Sequence, residues 1–184
     1  MNSKRGVHVN RKRMVTLIAL LLAITAGIIV LINMDRTSGP LQENDQIPNL
    51  TMEQYGQEDV SFDDFSSEVI VLNVWASWCE PCVREMPELM ELNDEQDKIE
   101  VVTVNMLTKE YRTSDPVEFI EEIGLTLPVL FDTDGAFIQA VEPSRLPMTY
   151  ILDSSLTIQD IIIGEVTNDL LMERIEAAIP GSTT

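Results

Sequence analysis

Histidine and cysteine are scarce in this chain of 184 residues, which contains one histidine and two cysteines. The histidine is His8, so no imidazole in the rest of the chain can act as a general base or as a metal ligand. A structural zinc site needs about four nitrogen or sulfur ligands. The composition therefore excludes a zinc domain and a cysteine–histidine catalytic pair, and we expect neither a metal nor a cofactor.

Basic side chains are also few, and they are unevenly placed. Residues 1–34 contain five basic and no acidic residues, whereas residues 35–184 contain seven basic and 31 acidic residues, a formal charge of −24 by difference. Such an acidic segment is not expected to bind nucleic acid or anionic lipid head groups. A solvated surface, a saline or alkaline habitat and a basic partner are all open explanations of this charge.

Charged residues are absent from Met14 to Met34, a stretch of 21 residues that are mostly Leu, Ile, Val and Ala. As a helix this stretch would span roughly 31 Å, close to the thickness of a bilayer core. A cleaved signal peptide usually has a shorter apolar region, and a soluble helix is not apolar on every side. Together with the positive-inside rule, the pattern predicts a cytoplasmic tail at 1–13, an uncleaved single-pass signal-anchor in the cell membrane at 14–34, and a linker at 35–46.

The remainder, residues 47–184, shows strand and helix patterns in alternation, which predict one α/β domain with a mixed sheet and helices on both faces. Apolar, largely β-branched runs predict buried strands at Val69–Trp75 and Ile99–Met106. Ser114 is a plausible N-cap, and Gly124 a stop, for one of the helices. A hairpin is predicted at 47–52 and 59–62, and a turn at 132–135. Further helices are predicted at 81–93, 136–141 and 167–179, and Thr167 is the predicted cap of the last one. Further strands are predicted at 127–131, 148–152 and 158–163.

Both cysteines lie in Trp78-Cys79-Glu80-Pro81-Cys82, between the first buried strand and the helix that follows it. A helix N-terminus stabilises a thiolate, which is the nucleophile of disulfide exchange. A second thiol one turn further on can attack the mixed disulfide and release the partner. A structural disulfide would close too short a loop to stabilise the fold appreciably, so this context favours redox chemistry.

Two further residues are candidates for the same site. Glu85 follows Cys82 by three residues, so its carboxyl shares a helix face with that thiol. If it is partly buried, its pKa rises toward neutrality, which suits proton transfer, but a solvated glutamate in the first turn fits the spacing equally well. Pro147 precedes a predicted strand, where the spacing by itself favours the ordinary trans peptide bond.

The segment from Trp75 to Pro87 resembles the active site of the membrane-anchored, thioredoxin-like TlpA/ResA-type thiol–disulfide oxidoreductases. The resemblance continues through residues 127–135 and 146–153 and covers about 47–180. It implies a thioredoxin fold with an N-terminal hairpin and an inserted helix–strand unit at 107–131, preceded by one transmembrane helix.

The site residues of that family carry over to matching positions of this chain. The resemblance implies that Cys79 attacks, that Cys82 resolves, and that the two form a redox-active disulfide. Glu85 would be the functional carboxylate, because Asn73 stands where ordinary thioredoxins have a buried aspartate, and Pro147 would be a cis-proline that faces the cysteines. The implied substrate groove comprises Trp78, Glu80, Pro81, Leu146, Pro147 and Met148, although Met148 and 141–143 depart from the usual family pattern.

The resemblance implies a disulfide reductase whose catalytic domain is extracytoplasmic. The usual client in this branch is the haem-attachment disulfide of apocytochrome c, reduced during cytochrome c-type biogenesis with electrons from a membrane dithiol donor. The same chemistry on another envelope or spore client, or in the oxidising direction, is an alternative. A non-enzymatic copper-delivery protein is a further alternative, but such proteins resemble C-x-x-x-C with a distal histidine, and this chain has neither.

Overall fold

A computed structural model describes the backbone of residues 11–34 and 39–183 and the side chains of residues 14–28 and 39–183. The chain forms two compact units, Met1–Gly39 and Pro40–Thr184. Helix α1, Arg11–Met34, contains the predicted signal-anchor. Within the described residues, no helix is both long enough and apolar enough to cross a membrane. Parts of the predicted tail and linker, at 1–10 and 35–38, lie outside the described residues.

The second unit contains a mixed sheet, as the sequence predicts. Its seven described strands lie in the order β2-β1-β5-β4-β3-β6-β7. The central strands β3, β4 and β5 are parallel, and the flanking pairs are antiparallel. The strands are β1 (Thr51–Gln54), β2 (Val60–Ser61), β3 (Val69–Trp75), β4 (Ile99–Asn105), β5 (Val129–Phe131), β6 (Met148–Asp153) and β7 (Ile158–Ile163). The helices are α2 (Glu80–Glu95), α3 (Asp115–Ile123), α4 (Ala136–Val141) and α5 (Asn168–Ala178), and Phe62–Asp64 and Leu107–Lys109 are short 3₁₀ turns.

Side chains on the sheet alternate between two apolar layers, because successive residues of a strand point to opposite faces. On β3, Val69, Val71 and Trp75 pack in the layer covered by α2, α3 and α5. The residues between them, Ile70, Leu72 and Val74, pack in the layer that includes α4. Asn73 is the buried polar residue of β3, and the alternation directs it toward the layer that contains α2.

The second unit begins earlier than the predicted boundary at residue 47. The backbone N–H of Leu41 donates to the carbonyl of Val141 at 3.2 Å, and that of Asn44 donates to Ile158 at 2.8 Å. Residues 40–46, predicted as part of the linker, are therefore fastened to the sheet domain through backbone groups that a sequence pattern does not reveal.

Two of the three predicted helix-end residues act as expected. The Thr167 side chain accepts a hydrogen bond from the backbone N–H of Leu170 at 3.3 Å, and Gly124 ends α3 with a left-handed φ of 64°. The predicted cap by Ser114 is wrong, because its backbone is already helical and its side chain makes no capping hydrogen bond. A capping side chain needs an extended backbone at that position.

Candidate active site

The junction between β3 and α2 places Cys79 at the N-cap position of the helix. Its backbone is extended, and its Sγ accepts a hydrogen bond from the backbone N–H of Cys82 at 3.4 Å. Pro81 lies in the first turn, where a missing N–H breaks no helical hydrogen bond. Cys79 and Cys82 form a disulfide, with their Cα atoms 5.2 Å apart. The pair is therefore in its oxidised form at the positive end of a helix dipole.

The two cysteines differ in accessibility. Cys82 is 0% exposed, whereas Cys79 is 5% exposed and lines a groove of about 710 Å³. An incoming sulfur would therefore meet Cys79 first. The groove is lined on the side of the redox pair by Trp78, Cys79, Glu80 and Pro81, and elsewhere by Met106, Lys109, Pro143, Arg145 and Leu146.

Four of the six predicted groove residues, namely Trp78, Glu80, Pro81 and Leu146, do line this groove. Pro147 is buried and does not line the groove, and the Leu146–Pro147 peptide bond is cis, as the family resemblance predicts. The prediction for Met148 is wrong. Its side chain packs in the opposite apolar layer, where the Tyr150 hydroxyl contacts its sulfur at 3.3 Å. The alternation along β6 turns Met148 away from the α2 layer.

Sequence reasoning missed the groove residues that are remote from the redox motif. These residues are Met106, Lys109 and Arg145, whereas Pro143 belongs to the turn at 141–143 that the family resemblance already places at the groove. They lie in the segments just after β4 and just before β6, which the sheet topology brings to the same end as the N-terminus of α2. No local pattern distinguishes them from ordinary loop residues.

Glu85 is buried, with a side chain that is 1% exposed. Its Oε1 accepts a hydrogen bond from Asn73 Nδ2 at 2.7 Å, and its Oε2 accepts one from the backbone N–H of Val166 at 2.9 Å. Burial raises the pKa of Glu85 to about 7, and the two hydrogen bonds oppose this shift without cancelling it. Glu85 is therefore a buried carboxyl and not a solvated glutamate of the first helical turn.

Asn73 connects Glu85 to the strand that follows the cis-proline. Its Nδ2 also donates to Thr149 Oγ1 at 3.0 Å, so one amide joins β3, α2 and β6. Its Oδ1 is buried and has no hydrogen-bond partner among the described residues. After rotation of the amide, this oxygen can accept a hydrogen bond from the protonated form of Glu85.

The most exposed apolar member of the redox motif is Trp78, which is 45% exposed. Its indole N–H donates to the backbone carbonyl of Lys109 at 3.0 Å, and its ring lies 6.3 Å from the ring of Tyr111. The indole therefore has a fixed position at the rim of the groove and remains partly exposed.

Comparison with known proteins agrees with this geometry. The sequence model described as the AhpC/TSA family matches residues 44–161. The chain belongs to the AhpC/TSA family. It is 34% identical over 137 residues to the thioredoxin-like protein YneN of Bacillus subtilis strain 168, which covers 74% of this chain and 80% of that protein.

Two other relatives from the same organism are named as thiol-disulfide oxidoreductases. The chain is 25% identical over 146 residues to thiol-disulfide oxidoreductase ResA, covering 78% of this chain and 80% of ResA. It is 30% identical over 121 residues to sporulation thiol-disulfide oxidoreductase A, covering 65% of this chain and 73% of that protein. The crystal structure of StoA from Bacillus subtilis matches with a TM-score of 0.63 at 27% identity, covering 70% of this chain and 96% of StoA.

The cysteine pair at disulfide distance and the named relatives identify the enzyme class. This chain is a thioredoxin-like thiol–disulfide oxidoreductase of the ResA and StoA type. The predicted family, thioredoxin-like fold and enzyme class are thereby confirmed.

Proposed function

We propose that this protein reduces disulfides of client proteins outside the cytoplasmic membrane. The observation that carries the proposal is the buried Glu85 carboxyl, whose pKa is about 7 because of desolvation and which lies one helical turn after Cys82. A group that titrates near neutral pH exchanges protons efficiently with thiols under physiological conditions.

In the proposed reaction the Cys79 thiolate attacks one sulfur of the client disulfide. The client S–S bond breaks, a Cys79–client bond forms, and the first client sulfur leaves as a thiolate that takes up a proton. Cys82 then attacks Cys79, which releases the second client sulfur and closes the Cys79–Cys82 disulfide. Two electrons pass from the enzyme to the client, and a membrane dithiol donor returns them by the reverse exchange.

Glu85 accepts the proton that Cys82 loses in the second step. Cys82 is fully buried and must lose its proton before it can attack, and a nearby carboxylate with a pKa near 7 accepts that proton. Because a buried carboxylate and a thiolate repel each other, the site favours keeping one proton between them. That proton is then available to the departing client thiolate.

For the client we propose the disulfide of an apocytochrome c haem-attachment motif. Support comes from the similarity to ResA and from the resemblance of the active-site segment to that branch. A spore-envelope protein is the second candidate, and it is favoured by the 30% identity to sporulation thiol-disulfide oxidoreductase A.

For location we propose that residues 14–34 anchor the chain in the cell membrane, with the N-terminus in the cytoplasm. Support comes from the 21 uncharged residues of this stretch and from the five basic residues that precede it. Protease added to intact protoplasts should then digest residues 40–184. Protection of the domain, or its release into the medium as a form lacking the stretch, would contradict this location.

The client is tested by trapping. Cys82→Ser leaves Cys79 able to attack but unable to be released, so mixed disulfides should accumulate and can be identified by mass spectrometry. The double variant Cys79→Ser/Cys82→Ser is the control and should trap nothing. Apocytochrome c in the adduct supports the first client and a spore-envelope protein the second. Adducts through Cys82 in a Cys79→Ser variant would reverse the assigned roles.

The direction is tested by equilibration with glutathione. A reductase of exposed client disulfides should have a reduction potential well below that of a dedicated disulfide donor, which is about −120 mV. A potential as oxidising as that value would make this protein an oxidase.

A further inference from the structure

We infer that Glu110 is a positioning residue for Cys79. Glu110 lies 31 positions after Cys79, in the segment between β4 and α3. Its carboxylate holds the loop that carries the attacking sulfur, and no feature of the redox motif points to it.

The loop between β3 and α2 consists of four residues, Ala76 to Cys79. Glu110 accepts two hydrogen bonds from Ser77, the second of these four residues. The backbone N–H of Ser77 donates to Glu110 Oε1 at 2.7 Å, and the Ser77 hydroxyl donates to Oε2 at 2.6 Å. Asn105, the last residue of β4, donates through Nδ2 to Oε1 at 2.8 Å. One carboxylate therefore joins the active-site loop to the end of the neighbouring strand.

The residues on either side of Glu110 hold the next loop residue, Trp78. The Lys109 carbonyl accepts the indole N–H at 3.0 Å, and the Tyr111 ring lies against the indole. Both residues that precede Cys79 are thus fastened to the three residues 109–111. We call these contacts of residues 109–111 with Ser77 and Trp78 the brace. The brace belongs to the inserted helix–strand unit, which gives that insertion a role at the active site.

The brace matters because disulfide exchange needs three sulfur atoms in a nearly linear arrangement. Displacing a reacting group by about 1 Å can reduce a rate by about a hundredfold. A carboxylate is suited to this position because both of its oxygens only accept hydrogen bonds. Alanine at this position would remove all three hydrogen bonds, whereas glutamine could keep them, because the Ser77 hydroxyl can rotate and accept a hydrogen bond from the amide N–H.

The test uses the full-length protein in detergent, reduced beforehand and mixed with a labelled peptide closed by one disulfide. The maximal rate of exchange and the half-saturating peptide concentration are measured separately for each variant. This exchange depends neither on the identity of the client nor on the direction proposed above. Glu118→Ala is the matched control, because Glu118 is an exposed glutamate of the same insertion that binds Arg112 at 3.3 Å.

We expect Glu110→Ala to lower the maximal rate about tenfold while changing the half-saturating concentration less than about twofold. Ser77→Ala should lower the rate by a smaller factor, and it should cause no further loss when combined with Glu110→Ala, because both changes break the same contacts. Glu118→Ala should behave as the wild type.

Thermal unfolding of each variant separates positioning from stability, since a variant that stays folded at the assay temperature cannot lose rate through unfolding. A Glu110→Ala rate within about twofold of the wild type would overturn the inference. Independent, additive effects of Ser77→Ala and Glu110→Ala would overturn it too. If the Glu110 variants do not fold, the inference is tested with Ser77→Ala by itself, because this change removes only one hydroxyl contact. An unchanged maximal rate of Ser77→Ala would then contradict the inference.

Discussion

The Oε2 atom of Glu85 accepts a hydrogen bond from the backbone N–H of Val166 at 2.9 Å, although the two residues are 81 positions apart. One turn further along α2, Glu88 accepts a hydrogen bond from the backbone N–H of Asn168 at 2.8 Å. The segment before α5 is thereby fixed across α2. The near-neutral pKa of the Glu85 carboxyl follows from its burial, and the hydrogen bond from Val166 lowers the pKa without cancelling that effect.

The first prediction concerns the two thiols. In the reduced protein, Cys79 should have a pKa below the ordinary value of about 8.5, because it caps the N-terminus of α2. Cys82 should titrate higher, because it is fully buried. Alkylation at neutral pH should therefore be at least about tenfold faster in Cys82→Ser than in Cys79→Ser. Faster alkylation of the protein that lacks Cys79 would show that the roles are exchanged.

The second prediction concerns the charge of Glu85. Glu85→Gln should lower the apparent pKa values of the cysteines, because a neutral amide does not repel a thiolate as a carboxylate does. It should also slow turnover by about a hundredfold, since Cys82 loses its proton acceptor. Thiol alkylation and turnover measured from about pH 5 to pH 9 check both effects.

Glu88→Gln is the matched control for this experiment, because Glu88 lies on the same helix and also binds a backbone N–H of the segment before α5. It should leave the thiol titration unchanged. If Glu85→Gln also leaves it unchanged, Glu85 has no role in proton transfer.

The third prediction is a pH dependence of stability that Glu85 causes. Burial raises its pKa from an ordinary 4.5 to about 7, so between these pH values the folded state binds a proton that the unfolded state has released. The contribution to the free energy of unfolding is fully present below pH 4.5 and is lost as the pH rises through 7.

Urea unfolding of the oxidised unit Pro40–Thr184 measures this contribution. Between about pH 5 and pH 8, the wild type should lose on the order of 2 kcal/mol more stability than Glu85→Gln. Other carboxylates titrate in both proteins, so only the difference between the two reports on Glu85. Parallel pH profiles would mean that the Glu85 carboxyl titrates at its ordinary value.

The fourth prediction concerns Asn73, whose Nδ2 lies 2.7 Å from Glu85 Oε1. Asn73→Asp would place a second carboxyl against the first, and two buried carboxylates at this distance share one proton. Stability should then fall more steeply with rising pH than in the wild type. Asn73→Ala, which removes the same hydrogen bonds without adding a charge, should show no such steepening, and equal slopes for the two variants would contradict the shared proton.

Much of the fold is determined by short-range sequence patterns. The predicted bounds Val69–Trp75 for β3 and 136–141 for α4 agree with the structure, and the C-x-x-C motif lies at the helix start as expected. These features depend on hydrophobic periodicity and on helix-start chemistry, which act among neighbours in the chain. The redox pair itself could therefore be located from the sequence.

The tertiary structure alone decided the environment of that pair. Glu85 accepts a hydrogen bond from Val166, which is 81 positions away, and Ser77 is held by Glu110, which is 33 positions away. Met148 departs from its predicted place because its direction follows the pairing of β6 within the sheet. Desolvation and hydrogen-bond geometry arise between segments that are distant in the chain, so the sequence by itself located the redox pair, and the fold determined the burial and the hydrogen bonds around it.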